Sequence, residues 1–167
     1  EKKNFPKSFD LIYQGSIGTI VHHYLEHQDF NPSLLSVESR LREMGIPSKL
    51  LMTFSSSIME MLSKTRKDKH FDWIFKYRDS TEVESEYRNS SQSVVIDRLF
   101  IDDGTLWIID FKTASIDEGE TLGEFINRQK LSHQSQIIKY KEVLNEFYDL
   151  PSKAAIYCPA ESQLIFL

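Results

Sequence analysis

The sequence contains very little cysteine. Its single cysteine, Cys158, cannot form a disulfide within the chain. One thiol also excludes any zinc or iron-sulfur site in which this chain alone supplies several cysteines. Proteins of reducing compartments use cysteine sparingly, so we expect a cytoplasmic location.

Long apolar runs are missing as well. Runs such as 94–96 and 106–109 are far shorter than the roughly 20 residues that cross a bilayer, so the sequence predicts no membrane span. The sequence begins without methionine or an apolar signal region, and we therefore expect a domain taken from a longer polypeptide. A GxxxxGK(S/T) phosphate loop is absent, which excludes an ATP-driven motor of that type from this chain.

Positive charge is in deficit. The chain has 20 Lys and Arg against 25 Asp and Glu, a formal net charge of -5. Free-standing nucleic-acid binders usually carry a basic surplus that neutralises phosphates. If this chain acts on nucleic acid, it needs local positive charge or a partner that delivers the strand. The basic run 64–69 is most simply the solvated end of a helix.

The hydrophobic pattern predicts an α/β domain. Hydrophobic residues make up 40% and charged residues 27% of the chain, as in folded globular proteins. Apolar spacing near 3.6 predicts helices at 16–29, 31–47, 48–67 and 131–147. A spacing near 2, together with turn signals, predicts strands at 72–78, 81–88, 93–102, 105–113, 154–158 and 164–167. We expect residues 114–128 to form a loop with a mobile or short helical piece.

One hairpin has a register that the sequence specifies. Asp103-Gly104 is a preferred pair for a two-residue type I′ turn, which makes cross-strand partners sum to 207. Asp97 then faces Asp110, with Lys112 two residues further along the same face. The predicted face is Val95, Asp97, Leu99, Ile101, Leu106, Ile108, Asp110 and Lys112.

Two carboxylates that face each other on an apolar surface repel, and their burial costs several kcal/mol unless a cation compensates. Lys112 supplies one positive charge. Mg²⁺ or Mn²⁺ is the better match, because hard divalent cations prefer oxygen ligands. The alternative is a pair of ordinary ion pairs, Asp97 with Arg98 or another surface base and Asp110 with Lys112.

Three motifs along the chain carry a family resemblance. The hairpin segments at 96–98 and 108–113 resemble the "ID…(I/V)DYKT" core of RecB-like nucleases, a branch of the PD-(D/E)XK superfamily. Residues 18–26, GTIVHHYLE, resemble the "GTxxHxxLE" helix of that family, and residues 136–140, QIIKY, resemble its "QxxxY" motif. The resemblance implies a restriction-endonuclease-like core, a central mixed sheet flanked by helices with an N-terminal helical segment. It implies one domain over 1–167, with a helical part at about 16–67 and a catalytic α/β core at about 72–167.

The resemblance also implies roles for individual residues. The metal ligands would be His22, Asp97, Asp110 and the backbone carbonyl of Phe111, with Lys112 as the catalytic lysine. Gln136 and Tyr140 would contact the DNA backbone. Glu84 matches an additional acidic residue of the family, in competition with Glu82 and Glu86. The remaining histidines are expected to have ordinary structural roles: His23, His27, His70 and His133.

The implied activity is Mg²⁺-dependent DNA hydrolysis, exonucleolytic rather than endonucleolytic. The absence of a four-cysteine iron-sulfur set favours the RecB or AddA type, in which the nuclease follows a UvrD-like helicase in the same polypeptide. DNA ends, that helicase and a second helicase-nuclease subunit are the expected partners in double-strand-break repair. Two alternatives stay open: a catalytically silent nuclease-like module, and a small-molecule-binding α/β domain whose hairpin charges are structural.

Overall fold

The computed structural model describes residues 7–167, with side chains from residue 12 onward. The chain divides into two compact units, Glu1–Lys67 and Asp68–Leu167. Helices and strands follow in the order α1 (Lys7–Glu26), α2 (Leu34–Glu43), α3 (Ser48–Lys67), α4 (Phe71–Phe75), β1 (Glu82–Arg88), β2 (Ser93–Asp102), β3 (Thr105–Phe111), α5 (Leu122–Leu144), β4 (Ser152–Cys158) and β5 (Gln163–Phe166). None of the helices within this described part is long and apolar enough to cross a membrane.

The N-terminal unit consists of three helices that pack on one another. Ser33 caps α2 by accepting a hydrogen bond from the Ser36 N–H, and Gly45 follows the helix with a left-handed φ of +78°. The helix α3 has the predicted bounds. The helix α1 begins nine residues before the predicted start at residue 16, and α2 is shorter than the predicted 31–47.

The C-terminal unit is built on one mixed sheet in the order β1-β2-β3-β4-β5. Strand pairs are antiparallel except β3 with β4, which are parallel and joined through α5. A parallel pair needs such a crossover, and the helix covers one face of the sheet. The buried cluster on that face contains Leu99, Ile108, Ile137, Val143 and Ala154 among others. The expected α/β class with helices flanking a mixed sheet is confirmed.

The hairpin of β2 and β3 has the predicted register. Leu99 pairs with Ile108 and Arg98 with Ile109, both sums being 207. Asp103 and Gly104 have φ angles of +47° and +68°, the two positive values that a type I′ turn requires. The turn chemistry therefore does set the pairing.

One sequence prediction is wrong, and the start of one helix differs from the predicted start. Residues 72–78 are not a strand, because Phe71–Phe75 form the short helix α4, in which the rings of Phe71 and Phe75 lie 5.1 Å apart. The helix predicted from residue 131 begins earlier, because α5 starts at Leu122 and includes the helical piece expected within 114–128. The Thr121 hydroxyl and the Glu124 carboxylate form a reciprocal capping box that starts the helix there.

Candidate metal centre

The side-chain alternation of β2 breaks at Asp97. Side chains of a regular strand share a face only when an even number of positions separates them. Val94 and Ile96 nevertheless belong to the same buried cluster as Leu99 and Ile101, which lie an odd number of positions away. Val95, predicted on the face of Leu99, is instead 47% exposed. The prediction for Val95 is wrong because the strand changes faces between residues 96 and 99.

Strand β1 changes faces at the matching position. Pairs on either side of Glu84, such as Val83 with Arg98 and Ser85 with Ile96, place Glu84 opposite Asp97. Glu84 has a φ of +49°, in the left-handed region that a residue with a Cβ rarely adopts. One carboxylate oxygen of Glu84 lies within 4.8 Å of one of Asp97. The two irregularities thus bring two carboxylates together.

The other glutamates of β1 have different partners. Glu82 accepts hydrogen bonds from Tyr87 and Tyr148, and Glu86 accepts from Ser93 and Arg88. The hydrogen bonds with Ser93 and Arg88 lower the pKa of Glu86. The sequence left open which of the three glutamates is the additional acidic residue of the site, and these contacts favour Glu84.

Asp97 is only 8% exposed, and its carboxylate lies where the backbone pairing of the hairpin ends. Backbone pairing between β2 and β3 stops at Arg98 and Ile109, one pair short of the predicted partners Asp97 and Asp110. The Phe111 N–H donates to Asp97 Oδ2 at 2.7 Å. Because this is a charge-assisted bond to backbone, it fixes the position of the carboxylate beside the end of β3.

Asp110 is 1% exposed and faces α5. Its Oδ1 accepts from the Tyr140 hydroxyl at 3.4 Å, and Lys112 Nζ lies 2.9 Å from Oδ2. The ion pair does not have hydrogen-bond geometry, and Oδ2 has no hydrogen-bond partner among residues 12–167. A buried carboxylate oxygen in this state has unused capacity to bind a cation.

The ion-pair alternative from the sequence is met at Asp110, whereas Arg98 has other partners. Asp110 and Lys112 do form the expected pair. Arg98 is 1% exposed, donates from Nε to the Ile74 carbonyl at 2.7 Å and lies over the Phe75 ring. Burial lowers the pKa of Arg98 to about 10. Arg98 is therefore bound to α4.

The helix α5 contributes the remaining polar groups. Gln136 Nε2 donates to the Tyr140 hydroxyl at 2.6 Å, and that hydroxyl contacts Asp110. Burial first, and then the charges of Asp110 and Asp97, raise the pKa of Tyr140. The phenol therefore stays protonated and can serve as a hydrogen-bond donor to Asp110 over the physiological pH range.

The donor set fits a divalent cation. Glu84, Asp97 and Asp110 supply carboxylate oxygens, the ligands that Mg²⁺ and Mn²⁺ prefer, against one ammonium from Lys112. The charges of these four groups sum to about -2 when all are ionised, which one divalent ion would neutralise. The fit rests on the unsatisfied Oδ2 of Asp110 as well as on this count.

The other predicted site residues are placed as follows. His22 lies half-buried on α1 in the N-terminal unit, and its metal-binding role stays a prediction. Phe111 is the last residue of β3, and its ring stacks on Phe75 at 5.9 Å. His70 pairs with Asp68 at 2.9 Å, an ordinary structural contact.

Two further polar residues of α5 lie on the same side of the helix as Gln136 and Tyr140. Gln129 is 2% exposed and His133 is half-buried, and both precede Gln136 and Tyr140 at helical spacing. The four residues form a stripe of polar residues in an otherwise amphipathic helix.

No protein-family model and no curated protein matches this sequence.

Proposed function

We propose that this chain is a metal-dependent DNA nuclease domain of the RecB-like branch of the PD-(D/E)XK superfamily. The observation that carries the proposal is the buried Asp110, whose Oδ2 lies beside Lys112 without a hydrogen-bond partner in the described part of the chain. The three sequence motifs and the mixed sheet support it, because the Asp and Lys motif residues meet at the end of one hairpin.

A divalent cation would be held by Asp97 and Asp110, with Glu84 as a further carboxylate. When bound, it supplies a Lewis acid that polarises a phosphoryl oxygen and acidifies water. The protein must hold the two aspartates at fixed positions for this chemistry. The Phe111 N–H does so for Asp97, and the Tyr140 hydroxyl does so for Asp110.

Lys112 supplies the positive charge of the proposed site. Its side chain is 23% exposed, so its ammonium is within reach of a substrate phosphate while it contacts Asp110. Preorganised positive charge is most effective where negative charge develops in the transition state, here on the non-bridging phosphate oxygens. Loss of this ammonium should therefore lower kcat more than it weakens DNA binding.

Tyr140 has a more specific role in the proposal than the motif alone assigns. Its hydroxyl contacts Asp110 and accepts from Gln136, so it acts as a positioning residue for the carboxylate. Gln136 is the member of the pair that is available to the DNA backbone, because it is only partly buried. The motif residue His22 enters as a predicted metal ligand on the strength of the sequence resemblance.

The wider context is also proposed. We infer an exonuclease that acts on DNA ends, is linked to a UvrD-like helicase in one polypeptide and works with a second helicase-nuclease subunit. The net charge of -5 supports delivery of DNA by such a partner, since this chain has no surplus of positive charge. Base identity is not expected to matter, because backbone contacts carry no sequence information.

The test is degradation of linear single-stranded and double-stranded DNA with Mg²⁺, with Mn²⁺ or with EDTA. Asp110→Asn and Lys112→Met should abolish metal-dependent cleavage. Asp103→Asn is the matched control on the same hairpin, because asparagine tolerates the left-handed turn position. His22→Ala tests the additional ligand in the same assay.

Two outcomes would contradict the proposal. One is cleavage that survives Asp110→Asn or Lys112→Met, which would indicate a contaminating nuclease or another site. The other is no cleavage together with no thermal stabilisation by Mn²⁺, which would favour the small-molecule-binding alternative or a silent module without a metal. Stabilisation by Mn²⁺ without cleavage would favour a metal-binding module that requires its helicase.

A further inference from the structure

A polar stripe runs along α5. Gln129, His133, Gln136 and Tyr140 are separated by four, three and four positions, so they lie on one side of the helix. The C-terminal half of the stripe reaches the candidate metal centre through the hydrogen bond from the Tyr140 hydroxyl to Asp110. The N-terminal half, Gln129 and His133, has no role in the function proposed above.

His133 lies on the Lys112 side of this centre. The helix α5 returns the chain from the end of β3 to the start of the parallel strand β4, so it runs opposite to β3. Earlier residues of α5 therefore lie beside later residues of β3. In agreement, burial and the charge of Lys112 lower the pKa of His133, while the charge of Asp110 raises it. The imidazole is neutral at neutral pH and offers one N–H donor and one acceptor.

Gln129 is a buried polar residue of α5. It is 2% exposed, and its carboxamide oxygen has no hydrogen-bond partner in the described residues. An unsatisfied buried amide oxygen costs about 1–3 kcal/mol, so an apolar side chain of similar size would stabilise the fold. Gln129 lies one helical turn from His133, within the reach of an i, i+4 contact. Its amide N–H can therefore donate to the acceptor nitrogen of the neutral imidazole and leave the ring N–H for a ligand.

We propose that His133 and Gln129 form a strand-binding subsite, in which His133 binds the DNA phosphate adjacent to the scissile one on the Lys112 side. Gln129 is the positioning residue that holds the imidazole. This inference rests on the proposed nuclease function. The ligand is a phosphodiester of the strand backbone, because a neutral imidazole N–H donates to phosphate oxygen without base selectivity.

The test compares two substrates of different length. A single-stranded oligonucleotide presents neighbouring phosphates, whereas the p-nitrophenyl ester of thymidine 5′-monophosphate has one phosphodiester. Since a hydrogen bond to a charged group is worth about 1.5–3 kcal/mol, His133→Ala should raise KM for the oligonucleotide roughly 10- to 100-fold. Its kcat and all constants for the short ester should stay at the wild-type level.

Gln129→Met separates function from folding. If the amide serves the subsite, this variant keeps or raises the melting temperature and still raises KM for the oligonucleotide. Gln134→Ala is the matched control, because Gln134 is exposed and lies off the stripe. An unchanged KM in His133→Ala, or an equal loss on both substrates, would overturn the subsite. An unchanged KM in Gln129→Met would overturn the role of the amide.

If the wild-type chain cleaves neither substrate and Mn²⁺ does not stabilise it, the proposed nuclease function has failed. Whenever cleavage is absent, binding decides the subsite. Fluorescence anisotropy of a labelled oligonucleotide in EDTA gives Kd without cleavage. Weaker binding by His133→Ala than by Gln134→Ala supports the subsite. Equal binding by the two variants overturns it.

Discussion

Replacing Glu84 with glycine should make the protein more stable without metal and less stable with it. Glu84 lies in β1 with a φ of +49°, opposite Asp97. Its carboxylate lies within 4.8 Å of that aspartate. Both the backbone conformation and the repulsion between the carboxylates oppose folding in the absence of a cation. Glycine removes both.

The expected magnitude follows from the backbone. A left-handed conformation costs a residue with a Cβ roughly 1–2 kcal/mol. Glycine recovers this amount but loses about 0.5–1 kcal/mol through the greater entropy of its unfolded chain. Glu84→Gly should therefore add between 0 and about 1.5 kcal/mol in EDTA from the backbone alone, and removal of the repulsion acts in the same direction. For a protein of this size, each 1 kcal/mol is about 2–4 °C in melting temperature.

Manganese should reverse the order of the two proteins. A ligand at 100 times its Kd stabilises the folded state by about 2.7 kcal/mol. Loss of one carboxylate ligand lowers this gain, because each tenfold weakening of Kd removes about 1.4 kcal/mol. The melting curves of the wild type and Glu84→Gly, followed by circular dichroism in EDTA and in MnCl₂, should cross over.

Glu86→Gly is the control that can refute this reasoning. Glu86 lies on the same strand without a positive φ, so glycine there should destabilise by about 0.5–1 kcal/mol in either buffer. If Glu84→Gly loses stability in EDTA as Glu86→Gly does, the backbone argument is wrong. If it gains stability in EDTA but responds to Mn²⁺ like the wild type, Glu84 is not a metal ligand.

Substitutions at three further positions test other parts of the C-terminal unit. Asp97→Asn keeps an acceptor for the Phe111 N–H, so it should nearly preserve stability in EDTA but lose the response to Mn²⁺. Asp97→Ala leaves that N–H without its acceptor and should cost about 1–3 kcal/mol. Chemical denaturation distinguishes the two variants. Tyr140→Phe removes the hydroxyl that contacts the second aspartate and should lower both stability and Mn²⁺ affinity, as measured by denaturation and metal titration. Hydrogen bonds from Arg128 lower the pKa of Glu120 to about 2 from 4.5, so its contribution to stability is present above pH 4.5 and is lost as the pH falls toward 2. Glu120→Gln should remove the dependence of the melting temperature on pH over that interval. If the contact contributes no stability, the variant and the wild type should show the same melting temperatures throughout it.

Local chemistry determined what the sequence could predict. The hairpin register follows from Asp103-Gly104 because a type I′ turn needs two positive φ angles next to each other, and this pair adopts them readily. The helix α3 was also placed correctly, since twenty residues give several turns of clear apolar periodicity. Each of these two signals lies within a single short segment of the chain.

Tertiary contacts determined what the sequence could not predict. Trp73, Phe75 and Tyr77 alternate with polar or smaller residues as in a strand, yet residues 72–75 of this segment lie in α4. The Trp73 ring packs edge-on against Trp107 at 4.9 Å, a contact with a distant strand that no local pattern reveals. The start of α5 is a different case. The sequence contains the Thr and Glu of the capping box at 121–124, but Gly123 between them disfavours a helix and obscures the start of α5.

The sequence could not identify Glu84 among the three glutamates of β1, and the reason is physical. Glutamate does not favour a positive φ, so nothing in its identity indicates where β1 changes faces. The change depends on the matching irregularity at Asp97, on the neighbouring strand. A residue pattern on one strand cannot specify such a paired distortion.

Three unfavourable features lie in the elements that form this centre. They are the left-handed backbone of Glu84, the burial of the Asp110 carboxylate and the unsatisfied amide oxygen of Gln129. Glycine at the first position and an apolar residue at the third would each stabilise the unliganded fold. Local departures from the most stable choice are expected where a site must bind something. Because a cation would neutralise the carboxylates and a phosphate would bind the imidazole beside Gln129, the stability changes of Glu84→Gly and Gln129→Met should respond separately to manganese and to DNA.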